Sequence, residues 1–117
     1  MAATAGKDRR VRSYSRLSVE ALELLGQSIR LARKERQMTE VELAKRVGIS
    51  RTTLQQIEKG DPKVEIGLVF EAAVIVGVDL FVPDARTLAP QLARVADRLA
   101  LLPQSVRRPK REVKDDF

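Results

Sequence analysis

The chain has 117 residues, enough for one domain with a modest core. It contains no cysteine and no histidine, which excludes a disulfide framework, thiolate chemistry, zinc fingers and nucleophile pairs built on histidine. A net charge of +6 points to an acidic partner, most simply nucleic acid, while an aromatic content of 3% is low for a base-stacking single-strand binder.

The charge is uneven along the chain. Residues 1–16 hold five Lys or Arg against one Asp, which supplies +4 of the +6. They show no apolar periodicity and read as a flexible basic arm, either merely solvated or touching phosphates or a minor groove. No secretory leader is visible, because Glu20 and Glu23 stand where an apolar stretch would be needed.

A first helix is expected from near Ser18 to about Gln37. Leu22, Leu25, Ile29 and Ala32 recur at spacings of three and four, while Arg30, Lys34 and Arg36 lie off that stripe. Met38 to Gly60 then reads as two short helices with a tight turn. Thr39 and Glu42 have the spacing of a capping box. Leu43, Ala44 and Val47 form one apolar face, and Gly48 can end the helix in a left-handed conformation. Ser50 is the next cap, Leu54 and Ile57 are the apolar positions of the following helix, and Gly60 closes it. The turn from Val47 to Ser50 is too short for an antiparallel pair, so the two helices must cross steeply.

Asp61-Pro62 breaks the chain. A fourth helix is expected from Val64 or Ile66 to Val76, with Leu68, Ala72, Ile75 and Val76 apolar and Val69 and Phe70 beside them. It is apolar on more than one face, so it is deeply buried or also part of a subunit interface. Val78 to Val82 permits a short strand or a short helix. Pro83 and Asp84 mark a boundary. A fifth helix should run from about Leu88 to Leu102, with Pro90 in its first turn. Leu88, Leu92, Val95, Leu99 and Leu102 form a seam spaced four and three, for a helix that dimerises or folds back on its own domain. Residues 103–117 carry two prolines, a basic cluster and an acidic end, with Val113 and Phe117 their main apolar groups. They cannot bury enough apolar area to order themselves and read as a disordered tail.

The longest apolar run, Gly67 to Val78, is short and contains Glu71, so no transmembrane segment is expected. No Gly-rich phosphate loop or metal-spaced carboxylate cluster occurs. No nucleophile, base and orienting group converge, so neither an enzyme nor a cofactor is expected.

The ordered set Leu43-Ala44, Val47-Gly48-Ile49-Ser50, Thr53-Leu54 and Ile57-Glu58-x-Gly60 resembles the helix-turn-helix of the Cro/C1-type regulators, the XRE family. The resemblance implies an all-α, lambda-repressor-like five-helix domain. Its parts would be the arm (1–16), the DNA-binding domain (17–82), the fifth helix (83–102) and the tail (103–117). In such a domain the second helix of the motif enters the major groove and the first crosses the backbone. Leu54 and Ile57 would point inward. Thr52, Gln55, Gln56 and Lys59 would fall on the opposite arc, with Arg51 in the first turn. Arg suits guanine, Gln suits adenine, and Thr suits either a hydroxyl or a thymine methyl contact. The resemblance places principal base readers at Arg51, Thr52 and Gln56. It places backbone or supporting contacts at Thr39, Ser50 and Thr53, with Lys45, Arg46 and Lys59 as phosphate cations. It also implies an ion pair between Arg33 and Glu58. Glu40 departs from the family, which often has Gln there; a Glu repels phosphate unless it accepts from Arg51 or turns away.

Within the family the likeness runs toward HipB-like antitoxins. It rests on the small size, the Gly60-Asp61-Pro62 junction and the basic tail ending Val113-Lys114-Asp115-Asp116-Phe117. It implies a cytoplasmic homodimer on an operator duplex that represses its own operon and is paired with a HipA-type toxin kinase. Two other readings stand beside it: a free-standing phage- or plasmid-type repressor, and a bridging module that joins a transcription factor to polymerase without reading bases.

Overall fold

The computed structural model describes residues 12–106, 108 and 109. The expected arm over 1–11 and the tail over 107 and 110–117 lie outside the described residues. The architecture is all-α. Five helices follow in order, α1 (Arg16–Glu35), α2 (Glu40–Val47), α3 (Arg51–Lys59), α4 (Ile66–Val76) and α5 (Ala89–Ala100), with no strand among the described residues. The chain divides into two compact units, one reaching Asp84 and one starting at Ala85. The first holds four helices and the second holds α5.

α1 starts earlier than expected. Two serines are able to cap it, and Ser15 does so, its hydroxyl accepting from the Ser18 backbone N–H at 3.3 Å. Ser18 therefore lies inside the first turn, and Arg16 belongs to the helix rather than to the arm. The helix also stops short of Gln37. Arg36 caps it, and Gln37 takes a left-handed φ of 56°. The Met38 N–H returns to the Arg33 carbonyl at 3.1 Å, which turns the chain into α2.

α2 opens on a complete capping box. Thr39 Oγ1 accepts from the Glu42 N–H at 3.1 Å, and Glu42 Oε1 accepts from the Thr39 N–H at 2.7 Å. Ser50 caps α3 in the same manner, its Oγ accepting from the Thr53 N–H at 3.0 Å. Only Gly48, Ile49 and Ser50 separate the two helices. Gly48 holds φ +87° and Ile49 folds its side chain against the core.

The core lies where α1 to α4 meet. It contains Ile29 from α1, Leu43 and Ala44 from α2, Leu54 and Ile57 from α3, and Val69, Ala72, Ala73 and Val76 from α4. Burying a Leu, Ile or Val side chain fully is worth about 1.5–3 kcal/mol, so these few residues carry the assembly of the unit. α4 is the apolar keystone, yet it leaves Ile66 and Val74 outside.

Val78 to Val82 is neither strand nor helix. With no strand beside it to pair with, the segment bends. The Val82 N–H reaches the Leu80 carbonyl at 2.8 Å, and Phe81 takes φ 70° with its ring edge-on to Phe70. In the second unit α5 is shorter than its apolar seam. Leu88 is the residue before the helix, Pro90 sits in the first turn, and Leu102 lies past the end. Pro103 disfavours helical backbone in the residue before it. Within this unit no residue of α5 is buried, and Leu92, Val95 and Leu99 share one apolar face. Pro103 to Val106 carry no helix.

Candidate nucleic-acid interface

The chemistry of the first unit concentrates on α3 and the start of α2. Leu54, Ile57 and Glu58 face inward and are buried. Arg51, Thr52, Gln56 and Lys59 are exposed, and Gln55 and Thr53 are half-buried. The helix therefore presents one polar face containing two amides, a hydroxyl and two cations. Thr53 and Ser50 are partly used already: their hydroxyls are 2.9 Å apart and the Ser50 hydroxyl caps the helix.

An ion pair between α1 and α3 fixes the tilt of that face. Arg33 Nε donates to Glu58 Oε2 at 2.7 Å, and Arg33 Nη2 donates to Glu58 Oε1 at 3.1 Å. This is the two-pronged geometry that a guanidinium and a carboxylate favour. Arg33 Nη1 donates to the Met38 carbonyl at 2.9 Å, tying the α1–α2 turn to the same group. The hydrogen bond to Glu58 raises the Arg33 pKa above its ordinary value, against the opposing effect of burial.

Glu40, the first residue of α2, joins this pair to the polar face. Its Oε1 accepts from Arg51 Nε at 2.8 Å and from Gln55 Nε2 at 3.1 Å. Its Oε2 stands 4.0 Å from Arg33 Nη2. The carboxylate thus turns toward Arg51 rather than outward. The hydrogen bond from Arg51, then that from Gln55, holds the Glu40 carboxyl below its ordinary pKa. The sign follows from that shift. Whatever the cluster contributes is present above the ordinary Glu range and is lost as pH falls through the lowered value. In a carbon-detected NMR titration, the Glu40 carboxyl is expected to titrate below an ordinary Glu. In Arg51→Ala its midpoint should move up, because the largest cause of the shift is gone.

The structure brings Arg51 and Gln55 together on Glu40. Lys59 shares a hollow with Glu40 and Gln55, and Arg30 lines both this hollow and the one beside Arg51. Arg30 and Lys34 border this face from α1. Spacing marked them only as lying off the apolar stripe; their position beside Thr39 and Arg51 depends on how α1 crosses the motif. Lys45 and Arg46 do not join the cluster. They line a separate hollow with Arg36, Gln37, Met38 and Glu42. Thr39 is exposed with its hydroxyl engaged in the capping box.

Among the described residues no group of three acidic, His or Cys side chains gathers to hold a metal. No described helix is long and apolar enough to cross a membrane. Residues 29–81 match the helix-turn-helix family model, a span that runs from the core residue Ile29 through α2, α3 and α4 to Phe81. No curated protein matches the chain.

Proposed function

We propose that the helix-turn-helix matched over residues 29–81 binds double-stranded DNA in a sequence-specific way, as a transcriptional regulator, with α3 in the major groove. The observation that carries this reading is the division of α3. Its apolar positions and Glu58 are locked inside, while Arg51, Thr52, Gln56 and Lys59 stand together outside, with Gln55 at the edge. An arginine at the amino end of such a helix reaches base edges, and cations farther along meet phosphates. Arg51, Thr52, Gln55 and Gln56 are the proposed base readers. Thr39, Ser50, Thr53 and Lys59 are proposed for the backbone, the first through the amide end of α2. Lys45 and Arg46 reach phosphate only on the side of the α1–α2 turn.

One such motif covers few base pairs, so two copies on half-sites about one helical turn apart are proposed. The Leu92, Val95 and Leu99 face of α5, flanked by Leu88 and Leu102, is the proposed self-contact.

The test is fluorescence anisotropy with a labelled duplex carrying the gene's own upstream region, a scrambled duplex as control, and two salt concentrations. Wild type should prefer the native duplex and bind more weakly at higher salt, as expected where cations displace counterions. Arg51→Ala is expected to lose about 1–3 kcal/mol at one base pair, and Lys59→Ala to weaken all sequences alike. Equal, weak binding to both duplexes by wild type would sink the base-reading proposal and leave the bridging module in its place.

The likeness to HipB-like antitoxins supports a narrower reading, an autorepressor whose protein partner is a HipA-type kinase toxin. Its support is the junction at Gly60-Asp61-Pro62 and the composition of the tail. Co-purification with a kinase-like protein encoded beside the gene would support it; an operator-binding chain with no such partner would be the free-standing repressor.

A further inference from the structure

We propose that Glu40 is a positioning residue for base recognition: by holding Arg51 through Nε and Gln55 through its amide, it sets this chain to require a guanine at the base pair Arg51 meets. The inference rests on the reading of α3 as the base-reading helix.

The geometry has three parts. One carboxylate oxygen, Glu40 Oε1, takes both hydrogen bonds, at 2.8 Å from Arg51 Nε and 3.1 Å from Gln55 Nε2. The carboxylate is itself fixed. Glu40 is the first residue of α2, inside the turn that the Thr39–Glu42 capping box closes, and its other oxygen faces Arg33, whose guanidinium is locked to Glu58. Finally, the Arg51 side chain is 63% exposed and no hydrogen bond from its terminal nitrogens occurs among the described residues.

Each part has a consequence. A guanidinium carries five N–H donors, and taking the one on Nε leaves the paired terminal nitrogens for a ligand. In the major groove guanine offers two neighbouring acceptors, O6 and N7, which match such a fork. A long side chain free in solvent would have to be ordered at the moment of binding, and Glu40 does that ordering in advance. An ion pair this exposed contributes little to folding, so its value lies elsewhere. The same carboxylate stands on the face that meets DNA and repels phosphate. It therefore weakens contact with every duplex while favouring the duplex that gives Arg51 its guanine. Specificity built from one attraction and one general repulsion is a difference of affinities rather than a gain in strength.

The test uses the full chain and its Glu40→Gln, Arg51→Ala and double variants. Wild type first selects its preferred site from a pool of random duplexes. Anisotropy then measures each protein on that site, on versions with each G·C pair exchanged in turn, and on a scrambled duplex. Glu40→Gln keeps an oxygen acceptor and removes the charge at a partly exposed side chain, and circular dichroism checks that each variant is folded before binding is compared. It should bind the scrambled duplex more tightly than wild type does. Its preference for one G·C pair should fall by roughly 5- to 150-fold. The preference at the other positions should stay, and in the Arg51→Ala background Glu40→Gln should cause no further loss, as expected for two groups acting through one contact. An unchanged preference in Glu40→Gln, or losses that simply add in the double variant, would overturn the proposal while leaving base reading by α3 intact. A wild-type chain that selects no site at all would overturn both.

Discussion

Glu58→Ala is expected to destabilise the four-helix unit by about 3–5 kcal/mol, the usual cost of stranding a buried charge. Arg33 and Glu58 are 5% and 6% exposed, so both are largely shielded from bulk water. Removing the carboxylate deletes both short hydrogen bonds and leaves a guanidinium that cannot discard its charge. The Met38 carbonyl would still accept from it, and the Glu40 carboxylate, 4.0 Å away, would be its nearest remaining counter-charge. A small unit holds about 5–15 kcal/mol in all, so this loss would be a large fraction of the total. Urea denaturation followed by circular dichroism gives the number, as a fall in midpoint at an unchanged slope. The informative control is the double replacement Arg33→Met with Glu58→Leu. If the cost of Glu58→Ala is the stranded charge, the double variant should recover most of the stability, because apolar groups of similar volume often equal a buried pair. If instead the pair is irreplaceable, the double variant should fall further than either single change. Recovered stability with lost DNA preference would identify the pair's second task, which is to hold Glu40 and hence Arg51 in place.

What could be read from residues alone divides by the range of the interaction. The Thr39–Glu42 capping box and the Ser50 cap join groups three residues apart, so the local sequence contains both partners. The core positions Ile29, Leu43, Ala44, Leu54 and Ile57 followed from helical spacing, because one buried face repeats at that period. Ser15 and Ser18 show where local reasoning stops. Both can cap a helix, and the choice between them is made by how far the helix continues, not by either side chain. Val78 to Val82 had the alternation of a strand, but a strand needs a neighbour to take its backbone hydrogen bonds, and the unit provides only helices. Gly26 adds nothing to an apolar pattern, yet it is buried where α1 crosses the end of α3. The cluster on Glu40 is the least local feature. Eleven residues separate Glu40 from Arg51 and fifteen separate it from Gln55. Their meeting depends on the steep crossing that the three-residue turn enforces. The sequence allowed two places for the Glu40 carboxylate, toward Arg51 or away. Packing selects the first.

Gly60→Ala is expected to be nearly as damaging as Glu58→Ala, and for a reason that a helix-propensity argument would miss. Gly60 has φ +80° and closes α3 with its N–H directed to the Ile57 carbonyl at 3.0 Å. Holding a residue with a Cβ in that left-handed region costs about 1–2 kcal/mol. Gly48 has φ +87°, and a Cβ added there would meet nothing within 4 Å, so Gly48→Ala should show that conformational cost alone. At Gly60 the added Cβ would come within 2.9 Å of the Glu23 Cα and N and the Leu22 carbonyl carbon. These are backbone atoms in the middle of α1 and cannot rotate aside. Either α1 or the end of α3 must move, an overpacking cost of about 1–3 kcal/mol that takes the total to roughly 2–5 kcal/mol. The two alanine variants, unfolded in urea side by side, separate the terms. Equal losses would mean that α1 yields to the extra carbon without resistance. A clearly larger loss at Gly60 would mean that α3 is clamped against α1 at its carboxyl end as firmly as Arg33 holds it through Glu58. With both anchors in place, the polar face of α3 is set by its packing on α1 before any ligand arrives. A shift at Gly60 would then tilt Arg51 and Gln56 together, and Gly60→Ala should weaken the preferred duplex far more than Gly48→Ala even where both proteins remain folded.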